Sequence, residues 1–154
     1  KKHEQNGMIN SGSQLIHAVA GSTVPHISLQ VGNSYGAGNY AMCGRSFNPR
    51  FLFSYPNAKS GVMGADQLAG VMEIVKRKSA MSLNKVIDEN LLLEEKKKLA
   101  EQADKKASIW HTTSEVWDDG VIDPRDTRKY LSLALSAVYS SEIKGTDSFG
   151  VFRM

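Results

Sequence analysis

The sequence predicts a single α/β domain, and three observations support this fold class. The chain has 154 residues, of which 41% are hydrophobic, which suffices for one core but not for two. Apolar and polar residues alternate over residues 27–31, as they do in a strand. Apolar residues over 68–75 recur instead at the spacing of a helix. Short strands mixed with helices in a chain of this length indicate an α/β fold.

The first predicted element is a short helix. Ser11 and Gln14 stand at the spacing of a capping box, and apolar residues recur at helical spacing from Leu15 onward. We expect this helix to extend from Ser11 to about Ala20. A connection containing Pro25 then leads into the strand over residues 27–31.

A glycine-rich stretch follows this strand directly. It reads Gly32-Asn33-Ser34-Tyr35-Gly36-Ala37-Gly38 and is predicted to be a turn, with a helical segment after it through Met42. Two short strands over residues 51–55 and 59–63 are expected next, because the turn signal Pro56-Asn57 separates them.

Two helical segments are predicted to follow. From Gly64 the apolar residues share one helical face, and this helix is expected to end in the basic run Lys76-Arg77-Lys78, which suits the negative end of the helix dipole. Residues 84–107 are rich in Leu, Glu and Lys. Pairs spaced four residues apart, Glu94 with Lys98 and Glu101 with Lys105, predict a long exposed helix or a helical pair there.

The last predicted element is an amphipathic helix over residues 130–138. Asp123 and Pro124 precede it and provide an N-cap and a first-turn proline.

Charge is distributed unevenly along the chain. The totals, 19 basic and 16 acidic residues, give a net charge of +3, which is too small an excess to indicate nucleic-acid binding. Between Glu4 and Asp66, however, the chain has no acidic residue, whereas Arg45, Arg50 and Lys59 lie there. This stretch is either a cationic surface for an anionic ligand or partner, or a set of solvated charges.

The cysteine content, the lack of a long apolar run and the first residues of the chain indicate the kind of compartment to expect. The single cysteine, Cys43, excludes an internal disulfide framework and fits a reducing compartment. No apolar run approaches the roughly 18 residues of a membrane span. Because the chain opens with Lys1-Lys2-His3 and not with Met, we expect it to be a truncated piece whose targeting peptide, if any, is lost.

A dinucleotide-binding pattern and a serine-hydrolase pattern overlap in the glycine-rich stretch. Residues 36–41 match the dinucleotide pattern G-x-G-x-x-A, but residues 58–60 lack the acidic side chain expected about 20 positions later. Residues 32–36 match the nucleophile elbow G-x-S-x-G, which would make Ser34 a serine-hydrolase nucleophile. His111 is the one histidine that follows Ser34, and its polar surroundings offer nothing to position it.

A third interpretation needs no catalytic side chain. Small residues at a strand-to-helix turn expose backbone N–H groups, and with the positive end of the helix these can form an oxyanion hole. The structural alternative is a tight turn that permits close packing.

Several further motifs accompany this stretch in a fixed order. The full set is VGNSYGAGNYAMCGR at 31–45, PRFL at 49–52, YPNA at 55–58, VMG at 62–64, VWDDGVIDPRDTR at 116–128 and FGVFRM at 149–154. Together they resemble the β subunits of biotin-dependent acyl-CoA carboxyltransferases, most of all those of methylcrotonoyl-CoA carboxylase. The resemblance covers almost the whole chain and is weakest over residues 76–108.

The resemblance implies a crotonase-like fold, a β-β-α spiral, with this chain as the C-terminal carboxyltransferase domain. It implies a carboxybiotin pocket formed by Tyr35, Gly36, Ala37, Gly38 and Tyr40. In this pocket the backbone amides of Ala37 and Gly38 form an oxyanion hole for the ureido oxygen of biotin. It further implies an N-domain, absent here, that binds acyl-CoA in a partner subunit.

The resemblance also predicts the partners of this chain, its location and its substrate. The biotin-accepting sequence Ala-Met-Lys-Met is absent, so biotin is expected on a separate biotin carboxylase α subunit or domain. The active site is expected to be shared within a β-subunit homo-oligomer, and the isolated chain should not turn over substrate. We expect the mitochondrial matrix in a eukaryote or the cytoplasm in a bacterium. The substrate expected is 3-methylcrotonoyl-CoA, with geranoyl-CoA as the alternative.

Four other residues, two aspartates and two tryptophans, are expected to have structural roles. Asp118 and Asp119 lack a third ligand nearby and are expected to cap or solvate a turn and not to bind a metal. Trp110 and Trp117 stand seven residues apart, a helical repeat that indicates core or subunit packing.

Overall fold

A computed structural model describes residues 2–145 of the chain, and the FGVFRM motif at 149–154 lies outside the described residues. The strands form two small sheets in which every pair is parallel. One sheet has the order β1-β3-β5 and the other consists of β2 and β4. Their bounds are β1 Ile27–Gln30, β2 Asn33–Tyr35, β3 Phe51–Ser54, β4 Lys59–Gly61 and β5 Gly120–Val121.

Seven α-helices surround these sheets among the described residues. They are α1 Lys2–Gln5, α2 Met8–Gly21, α3 Gly36–Ala41, α4 Ala65–Ser82, α5 Glu89–Ala107, α6 Ile109–Ser114 and α7 Thr127–Val138. Short 3-10 helices occupy Arg45–Phe47 and Pro124–Asp126. None of the helices described is long and apolar enough to cross a membrane.

Successive strand pairs are stacked as turns of a spiral. The first turn runs β1, β2, α3, and the second runs β3, β4, α4. Ile27 pairs with Phe51 in one sheet and Asn33 pairs with Lys59 in the other, so each strand lies beside its equivalent from the next turn. A third turn begins with β5, which pairs with β3 and leads to α7. This order confirms the β-β-α spiral that the resemblance implied.

The main core lies between the three-stranded sheet and α7. Phe53 is 7% exposed and packs with Ile122 and Ala134. The rings of Phe51 and Phe53 stack at 5.9 Å, and Tyr130 from α7 lies 5.8 Å from Phe53. Each buried aromatic ring removes a large apolar area from water, so these contacts fix α7 against the sheet.

The strand prediction missed β2. Residues 32–38 were expected to be a turn throughout, but Asn33, Ser34 and Tyr35 pair with Lys59, Ser60 and Gly61. The pairing joins segments about 26 residues apart and leaves no local periodicity in the chain.

Two predicted helix ends were wrong. The first long helix begins at Met8, after Gly7 in the left-handed conformation at φ 84°, so Ser11 and Gln14 lie inside α2 and form no capping box. The helix α4 continues past the basic run to Ser82. The basic side chains do not serve its C-terminus, because Lys76 binds Glu95 and Arg77 binds Glu89 across the hairpin.

The interpretation of the two tryptophans as a helical repeat was also wrong. Helix α6 contains Trp110 but ends at Ser114, and Val116 takes a left-handed conformation at φ 57°. Trp110 and Trp117 are 62% and 51% exposed, so neither belongs to the core of this chain.

Candidate functional site

The glycine-rich stretch is the junction between β2 and α3. Gly36 begins α3 with φ 57°, a left-handed conformation that side chains rarely adopt. A Cβ atom at this position would also lie 3.1 Å from the carbonyl oxygen of Val62. Glycine therefore allows the chain to turn sharply from the strand into the helix while passing close to the segment after β4.

The first turn of α3 presents backbone donors. The first N–H groups of a helix have no acceptor inside the helix, and with Tyr35 at the N-cap of α3 these include the groups of residues 36–38. Tyr35 occupies the N-cap, and its side chain makes no capping hydrogen bond. A Cβ atom on Gly38 would meet nothing within 4 Å, so the space beside this residue is open. The amides of Ala37 and Gly38 are thus placed at the positive end of a short helix.

A groove of about 520 Å³ lies against this junction. The residues that line it include Gly36, Tyr40, Val62 and Trp117. Tyr40 is 43% exposed and makes an edge contact with Phe47 at 5.7 Å between ring centroids. The structure therefore brings Gly36 and Tyr40 to one groove, whereas Tyr35 is partly buried and lies beside the backbone of Gly61.

Ser34 lies within a strand and has no nucleophile-elbow geometry. It occupies the middle of β2, paired with Ser60, and is not among the described non-glycine residues with positive φ. Its Oγ accepts a hydrogen bond of 2.9 Å from Nδ2 of Asn39. A serine nucleophile requires a hydrogen bond to a general base, so this arrangement does not activate Ser34.

Asn39 is the residue that sequence reasoning missed. Its Nδ2 reaches Ser34 Oγ at 2.9 Å and Ser60 Oγ at 3.5 Å, which joins α3 to both strands of the small sheet. Its carbonyl accepts from the N–H of Gly44 at 2.8 Å. A Cβ at Gly44 would lie only 1.9 Å from Asn39 Oδ1, so the small residue at 44 permits this contact. The pattern G-x-G-x-x-A contains Asn39 only as a variable position.

The acidic pair tethers the sheet. Asp119 Oδ2 accepts from the N–H of Leu52 at 2.7 Å, while Asp119 N–H donates to the Leu52 carbonyl at 2.8 Å. Asp118 is 7% exposed, and its Oδ2 accepts from the hydroxyls of Ser54 at 2.9 Å and Thr113 at 3.0 Å. The expectation that both residues cap or solvate a turn was wrong for Asp118, because its carboxylate is buried among hydroxyl donors.

Cys43 is a buried residue at the end of the turn. It is 4% exposed and has φ 54°. Burial raises the pKa of the Cys43 thiol, an effect that a hydrogen bond with Ser28 partly opposes. The reactive thiolate form is therefore disfavoured at neutral pH, and the geometry gives this thiol no catalytic character.

The stacked β-β-α turns give the chain a crotonase-like fold. The chain matches the model of the carboxyl transferase domain family over residues 1–151, and it belongs to this family. This confirms the resemblance drawn from the linked motifs.

Particular relatives are similar along the whole chain. The chain is 50% identical over 154 residues to the probable biotin-dependent acyl-coenzyme A carboxylase beta2 subunit of Mycobacterium tuberculosis, covering 100% of the chain and 29% of that relative. It is 42% identical over 158 residues to the mitochondrial methylcrotonoyl-CoA carboxylase beta chain of Dictyostelium discoideum, covering 100% of the chain and 26% of that relative. The chain thus spans little more than a quarter of the length of these relatives.

Solved structures agree with the fold. The geranyl-CoA carboxylase beta subunit of P. aeruginosa matches with a TM-score of 0.79 and 40% identity, over 98% of this chain and 28% of that one. A transcarboxylase 12S structure described as a hexamer assembly matches with a TM-score of 0.73 and 26% identity, over 98% of this chain and 27% of that one.

Proposed function

We propose that the full protein containing this chain is the carboxyltransferase component of a biotin-dependent acyl-CoA carboxylase. It would transfer a carboxyl group from carboxybiotin to 3-methylcrotonoyl-CoA, and this chain would form the carboxybiotin side of the active site. Family membership and the biotin-dependent relatives support this function. The observation that carries it is the pair of amides at Ala37 and Gly38, which lie in the first turn of α3 beside open space.

The residues around the junction fit the ureido ring of biotin. The ring is uncharged and has a polar carbonyl oxygen, so it needs hydrogen-bond donors together with a largely apolar wall. Ala37 and Gly38 offer backbone donors, and the open space at Gly38 lets a planar group approach the backbone. Tyr35, Gly36 and Tyr40 complete the proposed pocket, with Tyr40 and Gly36 facing the adjoining groove.

The role of this chain in the reaction is electrostatic. Bound carboxybiotin supplies the carboxyl group. The amides of Ala37 and Gly38 donate hydrogen bonds to an oxygen on which negative charge develops, and the helix end adds a partial positive charge. Because these donors are held by the strand-to-helix junction, they need no reorganisation during the reaction. Gly36 and Asn39 position them, since Gly36 permits the turn and Asn39 ties α3 to β2.

Several partners follow from this proposal. Biotin would be carried by a separate biotin carboxylase α subunit, and acyl-CoA would be bound by the N-domain of a neighbouring β subunit. The active site would therefore be shared within a homo-oligomer. Relatives from Dictyostelium discoideum and Arabidopsis thaliana are named mitochondrial, so the matrix is the proposed location in a eukaryote and the cytoplasm in a bacterium.

A proline substitution tests the proposed donors. Ala37→Pro removes one N–H, and the fold should tolerate it because proline suits the first helical turn, where that N–H has no helical acceptor. Loss of one oxyanion-hole donor lowers rates by roughly 100- to 1000-fold, so carboxyl transfer by the full-length variant should fall by that amount. Acyl-CoA affinity should stay unchanged, because that site lies on another subunit. A folded variant within about threefold of the wild-type rate would overturn the assignment.

A valine at Gly38 tests the proposed position of the ring. Gly38→Val keeps the amide but fills the open space, so it should weaken the use of carboxybiotin by steric exclusion. Gly70→Val is the matched control, since a Cβ at Gly70 in α4 also meets nothing within 4 Å. Circular dichroism and oligomer size verify the fold of both variants. Equal loss of transfer in both variants would indicate a general effect of valine on folding and would contradict the proposed pocket.

The choice between two acyl-CoA substrates has a direct test. The similarity to the geranyl-CoA carboxylase beta subunit favours geranoyl-CoA as a second candidate, at 40% identity. The methylcrotonoyl-CoA carboxylase relatives reach 42% and 43% identity. We expect the assembled enzyme to show a higher kcat/KM for 3-methylcrotonoyl-CoA than for geranoyl-CoA in parallel carboxylation assays. The reverse order would assign the geranoyl substrate and leave the carboxyltransferase class intact.

A further inference from the structure

A second cavity, of about 450 Å³, lies where the connection before β1 meets the 3-10 helix Arg45–Phe47. Of the described residues, only Arg45 lines both this cavity and the groove beside the glycine-rich junction. The cavity therefore adjoins that groove at Arg45 and is otherwise lined by different residues. His26 and Arg50 also line it.

The backbone brings the two arginines to the same cavity. The 3-10 helix ends at Asn48, which takes a left-handed conformation at φ 50° and donates its N–H to the carbonyl of Arg45 at 3.0 Å. The chain then reverses, and the N–H of Arg50 donates to the carbonyl of His26 at 2.8 Å. The position of Arg50 is thus fixed by a backbone bond and does not depend on its side chain.

These arginines differ from the other arginines that the structure pairs with acids. Arg77 binds Glu73 and Glu89, and Arg125 binds Asp123. Within residues 2–145, neither Arg45 nor Arg50 takes part in an ion pair or a side-chain hydrogen bond. Both guanidinium groups therefore keep their donors available for a ligand.

The remaining polar groups leave the cavity positive. Asp119 is the one carboxylate among the described lining residues, and its Oδ2 is engaged by the N–H of Leu52 at 2.7 Å. The two arginines thus outnumber the single acid. The Nε2 of His26 is shielded from solvent, so the donors offered to a ligand are those of the two arginines.

We propose that this cavity binds the phosphate group of a phosphate ester. Guanidinium groups match phosphate oxygens with paired N–H donors, which gives arginine an advantage over lysine at such sites. A volume of about 450 Å³ lies in the range of small-molecule pockets and leaves room for an organic group beside the phosphate. The proposed carboxybiotin pocket is formed by residues 35–38 and 40, whereas Arg50 lines this cavity and not the adjoining groove; Arg45 lines both.

Calorimetric titration of the full-length protein tests this site, with inorganic phosphate and AMP as the probes. We expect saturable binding of both, with AMP binding more tightly and affinity falling as NaCl is raised. Arg50→Gln should weaken both by about tenfold or more, because a charge-assisted pair is lost. Arg50→Lys keeps the charge but lacks the paired donors. Its affinity for both probes should therefore lie between that of the wild type and that of Arg50→Gln. Arg125→Gln is the control and should bind as the wild type does, since Arg125 lies outside the cavity and is 89% exposed.

Other results would overturn the proposal. Unchanged affinity in both Arg50→Gln and Arg45→Gln would exclude the cavity as the binding site. Equal affinity for AMP and inorganic phosphate would assign the cavity to the free anion and contradict the ester. Circular dichroism identifies any variant that fails to fold, and Arg50→Lys then supplies the comparison. Absence of saturable binding in the wild type would exclude the site altogether.

Discussion

Asn39 shows how a single side chain positions the candidate site. It holds Ser34 and Ser60 through Nδ2, while its backbone carbonyl accepts from Gly44. Each of these bonds joins a different segment to α3, so the first turn of this helix is fixed relative to the small sheet. An amide provides both donors and an acceptor, and aspartate at this position would lose the donors.

Ser34 is predicted not to act as a nucleophile. A fluorophosphonate probe should not label it, because its Oγ accepts from Asn39 and lacks a histidine base. Ser34→Ala in the full enzyme should keep much of the wild-type carboxyl-transfer rate, whereas removal of a catalytic serine lowers rates by several orders of magnitude. Mass spectrometry of the labelled peptide and a rate assay check both statements. Stoichiometric labelling of Ser34 would favour the hydrolase alternative.

The hairpin formed by helices α4 and α5 combines exposed ion pairs with a small apolar seam, which consists of Ala69, Met72, Leu92 and Leu99. Lys76 binds Glu95, and Glu73 binds Lys96 at 2.9 Å. The lysine and arginine partners lower the pKa of Glu73, so this carboxylate stays charged at neutral pH. These groups are between 24% and 46% exposed, and exposed ion pairs contribute little net stability. Leu92, at 6% exposure, is buried in the seam.

We therefore expect Leu92→Ala to destabilise the hairpin far more than Glu73→Gln does. Truncating a buried leucine costs about 2–5 kcal/mol, while loss of an exposed ion pair should be hard to detect at physiological salt. Hydrogen exchange of α4 and α5 in the full-length protein measures the two effects locally. Comparable increases in exchange for both variants would show that the ion pairs and not the apolar seam hold the helices together.

At the scale of the whole molecule, many large apolar side chains are exposed to solvent. Val62, Met42 and Trp110 are 86%, 72% and 62% exposed, and α2 has no buried residue among those described. Where exposed apolar side chains adjoin one another, they form the kind of surface that is covered in an assembly. The two relatives are more than three times as long as this chain.

The isolated 154-residue chain should consequently associate in solution and lack carboxylase activity. Light scattering at micromolar concentration measures the association, and bicarbonate fixation into 3-methylcrotonoyl-CoA measures the activity. The proposed full-length β subunit, combined with the proposed biotin-bearing α subunit, is the positive control and should restore turnover. A stable monomer would contradict the first expectation, and turnover by the isolated chain would contradict the second.

The sequence by itself determined the family, the α/β class, the glycine-rich junction and the approximate positions of most helices. These depend on local information, namely linked motifs and the periods of apolar residues. Only the tertiary structure placed β2, extended α4 beyond its basic run, buried Asp118 and separated Trp110 from Trp117 on different segments. For β2 and Asp118 a partner distant in sequence decided the outcome. Strand pairing and burial are contacts between segments, and their free energy exceeds the weak local preferences of single residues.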